Sequence, residues 1–199
     1  MPICGKVLRP VTDARAPLVL GIDPGLRACG WGLVEGGPAP RYVAAGVIKP
    51  NPRDAFPARL LFLHAAIARL IDTYRPQEVA IEDPFVGALA PAAALAIGQA
   101  RAAAVLAAAA AGLGVDFYAP AAVKAAVSGY GASDKRQVEA MVRLLLNLEA
   151  PPEPLDAADA LAVALCHLSN RKARALVSAQ TGKRANGQTR KPAAGRRSK

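Results

Sequence analysis

The 199-residue sequence predicts an α/β fold: a mixed five-stranded sheet flanked by helices. Three observations carry that expectation. Short apolar runs rich in Val, Ile and Leu are bounded by Gly and Pro, as strands are. Other segments return apolar residues every three or four positions, as amphipathic helices do. Their order, three strands and then alternating helices and strands, suits a single layered domain. A 53% hydrophobic composition and a mean hydropathy of +0.21 supply its core.

Residues 1–16 read as a flexible extension. The run Leu18-Val19-Leu20-Gly21-Ile22-Asp23 is almost continuously apolar and ends in an acid, the pattern of a strand buried on both faces, and Pro24-Gly25 stops it. Trp31–Val34 and Tyr42–Ile48, separated by Gly36-Gly37-Pro38, predict a hairpin beside that strand. Phe56, Leu60, Leu63, Ile67, Leu70 and Tyr74 then share one helical stripe, which Pro76 ends. Val79-Ala80-Ile81-Glu82 predicts a second buried strand closing in an acid. The Ala-rich stretch 92–111 is long enough to raise the question of a membrane span, but with Gln99, Arg101 and few large apolar residues it predicts a soluble helix. Val115–Tyr118 predicts the fifth strand. Ser133 suits the cap of a helix carrying Val138, Met141, Val142, Leu145 and Leu146, and a last helix is expected from about Asp156 to His167. The predicted domain therefore spans residues 17–169.

The formal net charge is +10, and ten Lys and Arg fall within residues 170–199, which hold no Asp or Glu. Residues 1–169 are then balanced, with fifteen basic against fifteen acidic residues. The basic segment lacks apolar periodicity and reads as a disordered tail suited to a polyanion, nucleic acid above all, or simply to solubility. The cysteines, Cys4, Cys29 and Cys166, are odd in number with no short-range pairing, which argues for a reducing compartment and against a zinc ribbon. Polar and charged residues near the N-terminus (Arg9, Asp13, Arg15) do not suit a signal peptide, so a cytoplasmic protein is expected.

Four acids stand where burial rules do not place them. Asp23 and Glu82 each close an apolar strand; if those strands are adjacent and parallel, both carboxylates emerge at the sheet edge where open α/β sheets bind ligands. Asp156 and Asp159 share a helix face among Leu155, Ala157, Ala158, Ala160 and Leu161. Taken singly, each has an ordinary reading: a turn acid for Asp23, a strand end for Glu82, a helix cap for Asp156. Together they point to one site. Converging carboxylates repel unless a cation lies among them, and an oxygen-only donor set favours Mg²⁺ or Mn²⁺ over zinc. Two such ions per site suit phosphodiester hydrolysis. Lys124 and Lys135 flank a Gly-containing loop and are candidate phosphate contacts, as is Arg27 after the first strand, though ordinary surface positions suit all three. Phe85, three residues past Glu82, is placed to stack on an unpaired base or to anchor its loop in the core. His64 reads as a packed residue, and His167 is too far along its helix from Asp159 to share an ion.

At these residues the sequence resembles the RuvC family of crossover junction endodeoxyribonucleases. Gly21-Ile22-Asp23-Pro24-Gly25 is similar to the family's opening motif, and Ala80-Ile81-Glu82 followed by Phe85 to its second. Ile97-Gly98-Gln99-Ala100-Arg101 is similar to the segment that follows. Val123-Lys124 and Lys135-Arg136-Gln137-Val138 keep its spacing, and Asp156-Ala157-Ala158-Asp159-Ala160-Leu161-Ala162 looks like its closing motif. The resemblance covers about Val19 to Leu168. It implies a ribonuclease-H-like fold, a bacterial homodimer, and symmetric metal-dependent cleavage of four-way (Holliday) DNA junctions in recombination and repair. It also implies the RuvA and RuvB branch-migration proteins as partners. It carries over Asp23, Glu82, Asp156 and Asp159 as metal-binding catalytic acids, Lys124 and Lys135 as DNA or transition-state contacts, and Phe85 as the aromatic at the strand-exchange point. Neither terminus carries a family motif. The rival readings are a YqgF-like nuclease of the same fold acting on RNA, and a non-catalytic basic DNA-binding protein. A phosphotransferase of the actin type needs two such domains, more than this length provides.

Overall fold

The computed structural model describes residues 16–83 and 90–187. Its elements are β1 (Leu18–Asp23), β2 (Cys29–Glu35), β3 (Arg41–Ile48), α1 (Phe56–Tyr74), β4 (Glu78–Glu82), α2 (Pro91–Ala110), β5 (Val115–Tyr118), α3 (Pro120–Ser128), α4 (Lys135–Leu145) and α5 (Leu155–Gly187). The five strands form one sheet in the order β3-β2-β1-β4-β5. β1 pairs antiparallel with β2, and β2 antiparallel with β3, so the first three strands form the expected meander. β4 adds to the other edge of β1 in parallel, and β5 in parallel to β4, through crossovers that carry α1 and α2. The predicted mixed sheet is present.

Because strand residues alternate between faces, the sheet has two differently covered sides. Leu20, Ile22, Leu33, Val79 and Ile81 point into a core shared with α1 and with the stripe Ala100, Ala103, Ala104, Ala107 and Ala108 of α2. α2 is long and apolar enough to cross a membrane by length and composition. Its small residues let it pack closely against α1. Val19, Val34 and Ala80 point the other way, into a core with Val123 and Val127 of α3, Val138 and Val142 of α4, and Leu161–Leu165 of α5. α1 ends where Arg75 turns into the left-handed region (φ 52°) and its N–H closes on the Ile71 carbonyl, one residue before Pro76.

Three expectations needed correction. Lys124 lies on a short helix, α3, that the sequence pattern did not suggest; nine residues with Pro at its start give too little periodicity to detect. Asp134, not Ser133, caps α4: its carboxylate accepts from the Gln137 N–H, and the Gln137 side chain accepts from the Asp134 N–H. Ser133 is buried; its hydroxyl lies 2.7 Å from Ser128 Oγ at the end of α3 and donates to the Tyr130 carbonyl at 2.8 Å. The last helix passes His167 and continues to Gly187, into the segment expected to be disordered. Lys172-Ala173-Arg174-Ala175-Leu176 consists of good helix formers, so the loss of an apolar stripe there does not end the helix. Residues through Leu168 form one compact unit and Ser169–Lys199 a second. The N-terminal extension to residue 15, Cys4 and Phe85 lie outside the described residues.

Candidate active site

The parallel register aligns the two strand-ending acids. Ile22 pairs with Ile81, so Asp23 and Glu82 stand one step beyond, at neighbouring strand ends. Two residues on from Gly21 and from Ala80, both belong to the α5 face of the sheet. The sheet approaches α5 closely there because its facing residues are glycines. A β-carbon on Gly21 would lie 2.1 Å from the Ala160 carbonyl oxygen, and one on Gly30 would lie 1.9 Å from that of Asp156. With no side chains between, the first turns of α5 bring Asp156 and Asp159 over the end of β1.

The electrostatics confirm that the four acids share one neighbourhood. Burial raises the Asp23 carboxyl to about 6, helped by the charges of Asp159 and Asp156 and opposed by a hydrogen bond with Glu82 and by Lys135. Burial also raises Glu82, to about 8, with Asp23 and Asp159 adding to the rise and Lys135 opposing it. Asp23 and Glu82 therefore lie close enough for each carboxyl to shift the other. Lys135 Nζ lies 2.7 Å from Asp159 Oδ2, a contact that raises the lysine further above its ordinary value.

A cleft of about 210 Å³ opens at this point, lined by Glu82, Pro120, Val123, Lys124, Lys135, Val138, Asp159 and Ala162. Both lysines proposed from spacing therefore face the acids across one cavity: Lys124 from α3 and Lys135 from the first turn of α4. Arg27 stands exposed on the β1–β2 loop. Among the described residues no three His, Cys, Asp or Glu side chains are grouped closely enough to hold a metal ion. The donors still fit a hard divalent cation by their chemistry. They are oxygen ligands only, and the raised carboxyls of Asp23 and Glu82 mark excess negative charge that a cation would neutralise.

Neither histidine belongs to this site. His64 is half-buried on α1. His167 is buried, with Nε2 2.6 Å from Glu78 Oε2 and Nδ1 3.0 Å from Tyr118 Oη, and so fastens α5 to the start of β4 and the end of β5. Burial pushes the Cys29 thiol up to about 12, which keeps it protonated and unreactive.

Sequence reasoning missed the roles of Gly30 and of Arg101. Gly30 had a visible signal: Gly30 and Gly32 alternate along one face of a strand in which glycine is otherwise unfavourable. Arg101 of α2 lies 2.7 Å from Asp83, the residue after Glu82, and its signal was its solitude, as the one charge in a 20-residue apolar helix.

Comparison with known proteins agrees with this geometry. The family model "Crossover junction endodeoxyribonuclease RuvC" matches residues 19–167. The chain is 49% identical over 153 residues to the crossover junction endodeoxyribonuclease RuvC of Alkalilimnicola ehrlichii, covering 76% of this chain and 91% of that one. It is 45% identical over 154 residues to its counterpart in Dehalococcoides mccartyi, covering 77% and 93%. Among solved structures it is similar to Thermus thermophilus RuvC in complex with a Holliday junction substrate, with a TM-score of 0.73 and 36% identity over 78% of this chain and 94% of that one. A yeast mitochondrial Holliday junction resolvase shares the fold, with a TM-score of 0.58 and 15% identity. A strand-end Asp–Glu pair, two further acids on a helix pressed against them, and a family match over nearly the whole ordered body lead to one conclusion: the chain belongs to the RuvC family of crossover junction endodeoxyribonucleases.

Proposed function

We propose that this protein is a structure-specific endonuclease that resolves four-way DNA junctions by symmetric, metal-dependent hydrolysis of two phosphodiester bonds during recombination and repair. The observation that carries the reading is the convergence of Glu82 and Asp159 with Lys124 and Lys135 at one cleft, with Asp23 beside Glu82, in a chain 49% identical to a crossover junction endodeoxyribonuclease.

Asp23, Glu82, Asp156 and Asp159 would hold Mg²⁺ or Mn²⁺, and four carboxylates would suit two ions per site. A bound metal would supply a water of lowered pKa and positive charge against the developing phosphoryl charge. The chain's own residues do the rest. Desolvation around Asp23 and Glu82 strengthens every charge interaction at the strand ends. Lys124 and Lys135 bind the phosphate next to the scissile one and offset charge developing on the phosphoryl oxygens. Arg27 extends the phosphate path along the β1–β2 loop, and Phe85 stacks at the opened base pair.

Symmetric cleavage requires a homodimer, whose two-fold axis matches that of the junction. The exposed Leu61 and Phe62 of α1 and Leu95 and Leu106 of α2 support that reading, since apolar side chains of this size on packed neighbouring helices suit a protein interface. RuvA and RuvB, which deliver the branch point, are the proposed protein partners, and the bacterial cytoplasm the proposed compartment. The basic segment 170–199 adds sequence-independent affinity for DNA.

The test is denaturing-gel cleavage of a mobile synthetic four-way junction, end-labelled on each strand in turn, with EDTA, Mg²⁺ or Mn²⁺. Linear duplex and single-stranded RNA run beside it. Paired symmetric nicks on the junction alone, dependent on metal, support the reading. Degraded RNA beside an intact junction moves the assignment to an RNA nuclease of the same fold, and an intact junction that is bound through residues 170–199 leaves a DNA-binding protein.

A further inference from the structure

Glu82 is the last residue of β4, held on one side only, and it stands among carboxylates that repel it. The chain nevertheless stays in the sheet for one further step: the Asp83 N–H donates to the Tyr118 carbonyl at 2.8 Å. Strand alternation turns Asp83 away from α5, toward the α2 side of the sheet, where Ile81 also points. There Arg101 Nη1 meets Asp83 Oδ1 at 2.7 Å, and the guanidinium lies 4.2 Å over the Phe117 ring. Asp83 is therefore held twice, by the neighbouring strand through its backbone and by a helix on the opposite face from the acids through its side chain.

We propose that Arg101 is a positioning residue: seated on Phe117 and paired with Asp83, it fixes the peptide from which the Glu82 carboxylate reaches toward Asp23. Arg101 touches neither substrate nor metal. It opposes, from the far side of the sheet, the repulsion that would swing Glu82 out of the cluster as the strand ends. Arginine suits the task because its planar group stacks on an aromatic face while its edge binds a carboxylate; lysine does only the second. A bland surface ion pair is the competing account, since the Asp83 and Arg101 side chains are 45% and 31% exposed. Such pairs contribute little to stability, so the two accounts separate on turnover, not on melting.

This inference rests on Glu82 being a ligand of the metal-dependent site, and the experiment separates the two ideas. In the full-length protein, Arg101→Gln, Arg101→Lys, Asp83→Asn and the Arg101→Gln/Asp83→Asn double variant are compared with wild type. The readouts are junction cleavage, junction affinity, melting temperature, and Mn²⁺ affinity titrated without DNA. Arg101→Gln is expected to lower kcat about ten- to hundred-fold, the scale of a misplaced catalytic group. KM, junction affinity and melting temperature should stay near wild type, and Mn²⁺ affinity should fall in parallel with kcat. Asp83→Asn should match it, the double variant should be no worse than either single one, and Arg101→Lys should recover part of the loss. Unchanged kcat, a change in KM alone, a loss that follows only a lowered melting temperature, or additive losses in the double variant each overturn the proposal. If wild type cuts no junction, the functional reading fails by itself; Mn²⁺ affinity equal in wild type and Arg101→Gln then overturns the positioning role independently.

Discussion

Gly30 and Asp156 meet backbone to backbone: a β-carbon on Gly30 would lie 1.9 Å from the Asp156 carbonyl oxygen. This contact sets how near the first turn of α5 comes to the sheet, and hence where two of the four acids stand. Gly30→Ala must push that turn away. The expected result is a destabilisation of about 1–3 kcal/mol from overpacking, with cleavage falling roughly a hundred-fold because a small misplacement of catalytic groups is costly. Melting curves and single-turnover cleavage check it; wild-type turnover in a folded Gly30→Ala protein would show that the spacing of α5 does not matter.

Asp23→Asn keeps the shape of the side chain and removes a charge. Cleavage should disappear while junction binding, which the proposed function assigns to the lysines, survives in a gel-shift assay. Because Asp23 is raised by burial and by Asp159, its neutral replacement should not lower the melting temperature. A fall in both binding and melting temperature would identify Asp23 as a structural residue instead.

The raised carboxyls make a signed pH prediction for protein kept in EDTA. Asp23 and Glu82 bind protons more tightly when folded than when unfolded, so their contribution to stability is fully present only below the ordinary carboxylate range. It should decline as pH rises through about 6 and about 8, the raised values of Asp23 and Glu82. Glu82→Gln should flatten that decline, and added Mg²⁺ should reverse it at the alkaline end. Thermal denaturation from pH 5 to pH 9 measures all three; a wild-type melting temperature that rises over this range would contradict the coupling of the two acids.

His167 should matter to stability and not to chemistry. His167→Ala removes the buried contacts to Glu78 at 2.6 Å and Tyr118 at 3.0 Å, at a cost of about 1–3 kcal/mol. Denaturant melts should show the loss, and cleavage well below the melting temperature should stay near the wild-type rate. A large loss of turnover in folded protein would bring His167 into the catalytic account.

Removal of residues 171–199 takes away ten basic side chains and no acid. The truncated protein should bind junctions more weakly, with a shallower dependence of affinity on salt, and should cut saturating junction at the wild-type rate. Loss of cleavage at saturation would assign the segment a role in the site.

Much of this protein is determined by its sequence alone. Short apolar runs bounded by Gly and Pro mark the five strands, and stripes of period 3.6 mark α1 and α4, because burial leaves its trace in the chain. Asp23 and Glu82 are legible for the same reason, since an acid closing an apolar strand breaks the pattern, and Asp156 and Asp159 stand out among alanines. What the tertiary structure alone decides is distance. The parallel β1–β4 pairing that sets Asp23 beside Glu82, the glycine contact that seats α5, the Lys135–Asp159 ion pair and the reach of Arg101 to Asp83 all join residues far apart in the chain. Local periodicity reports which face a residue takes. It does not report which segment covers that face or how closely, because those follow from packing the whole core at once.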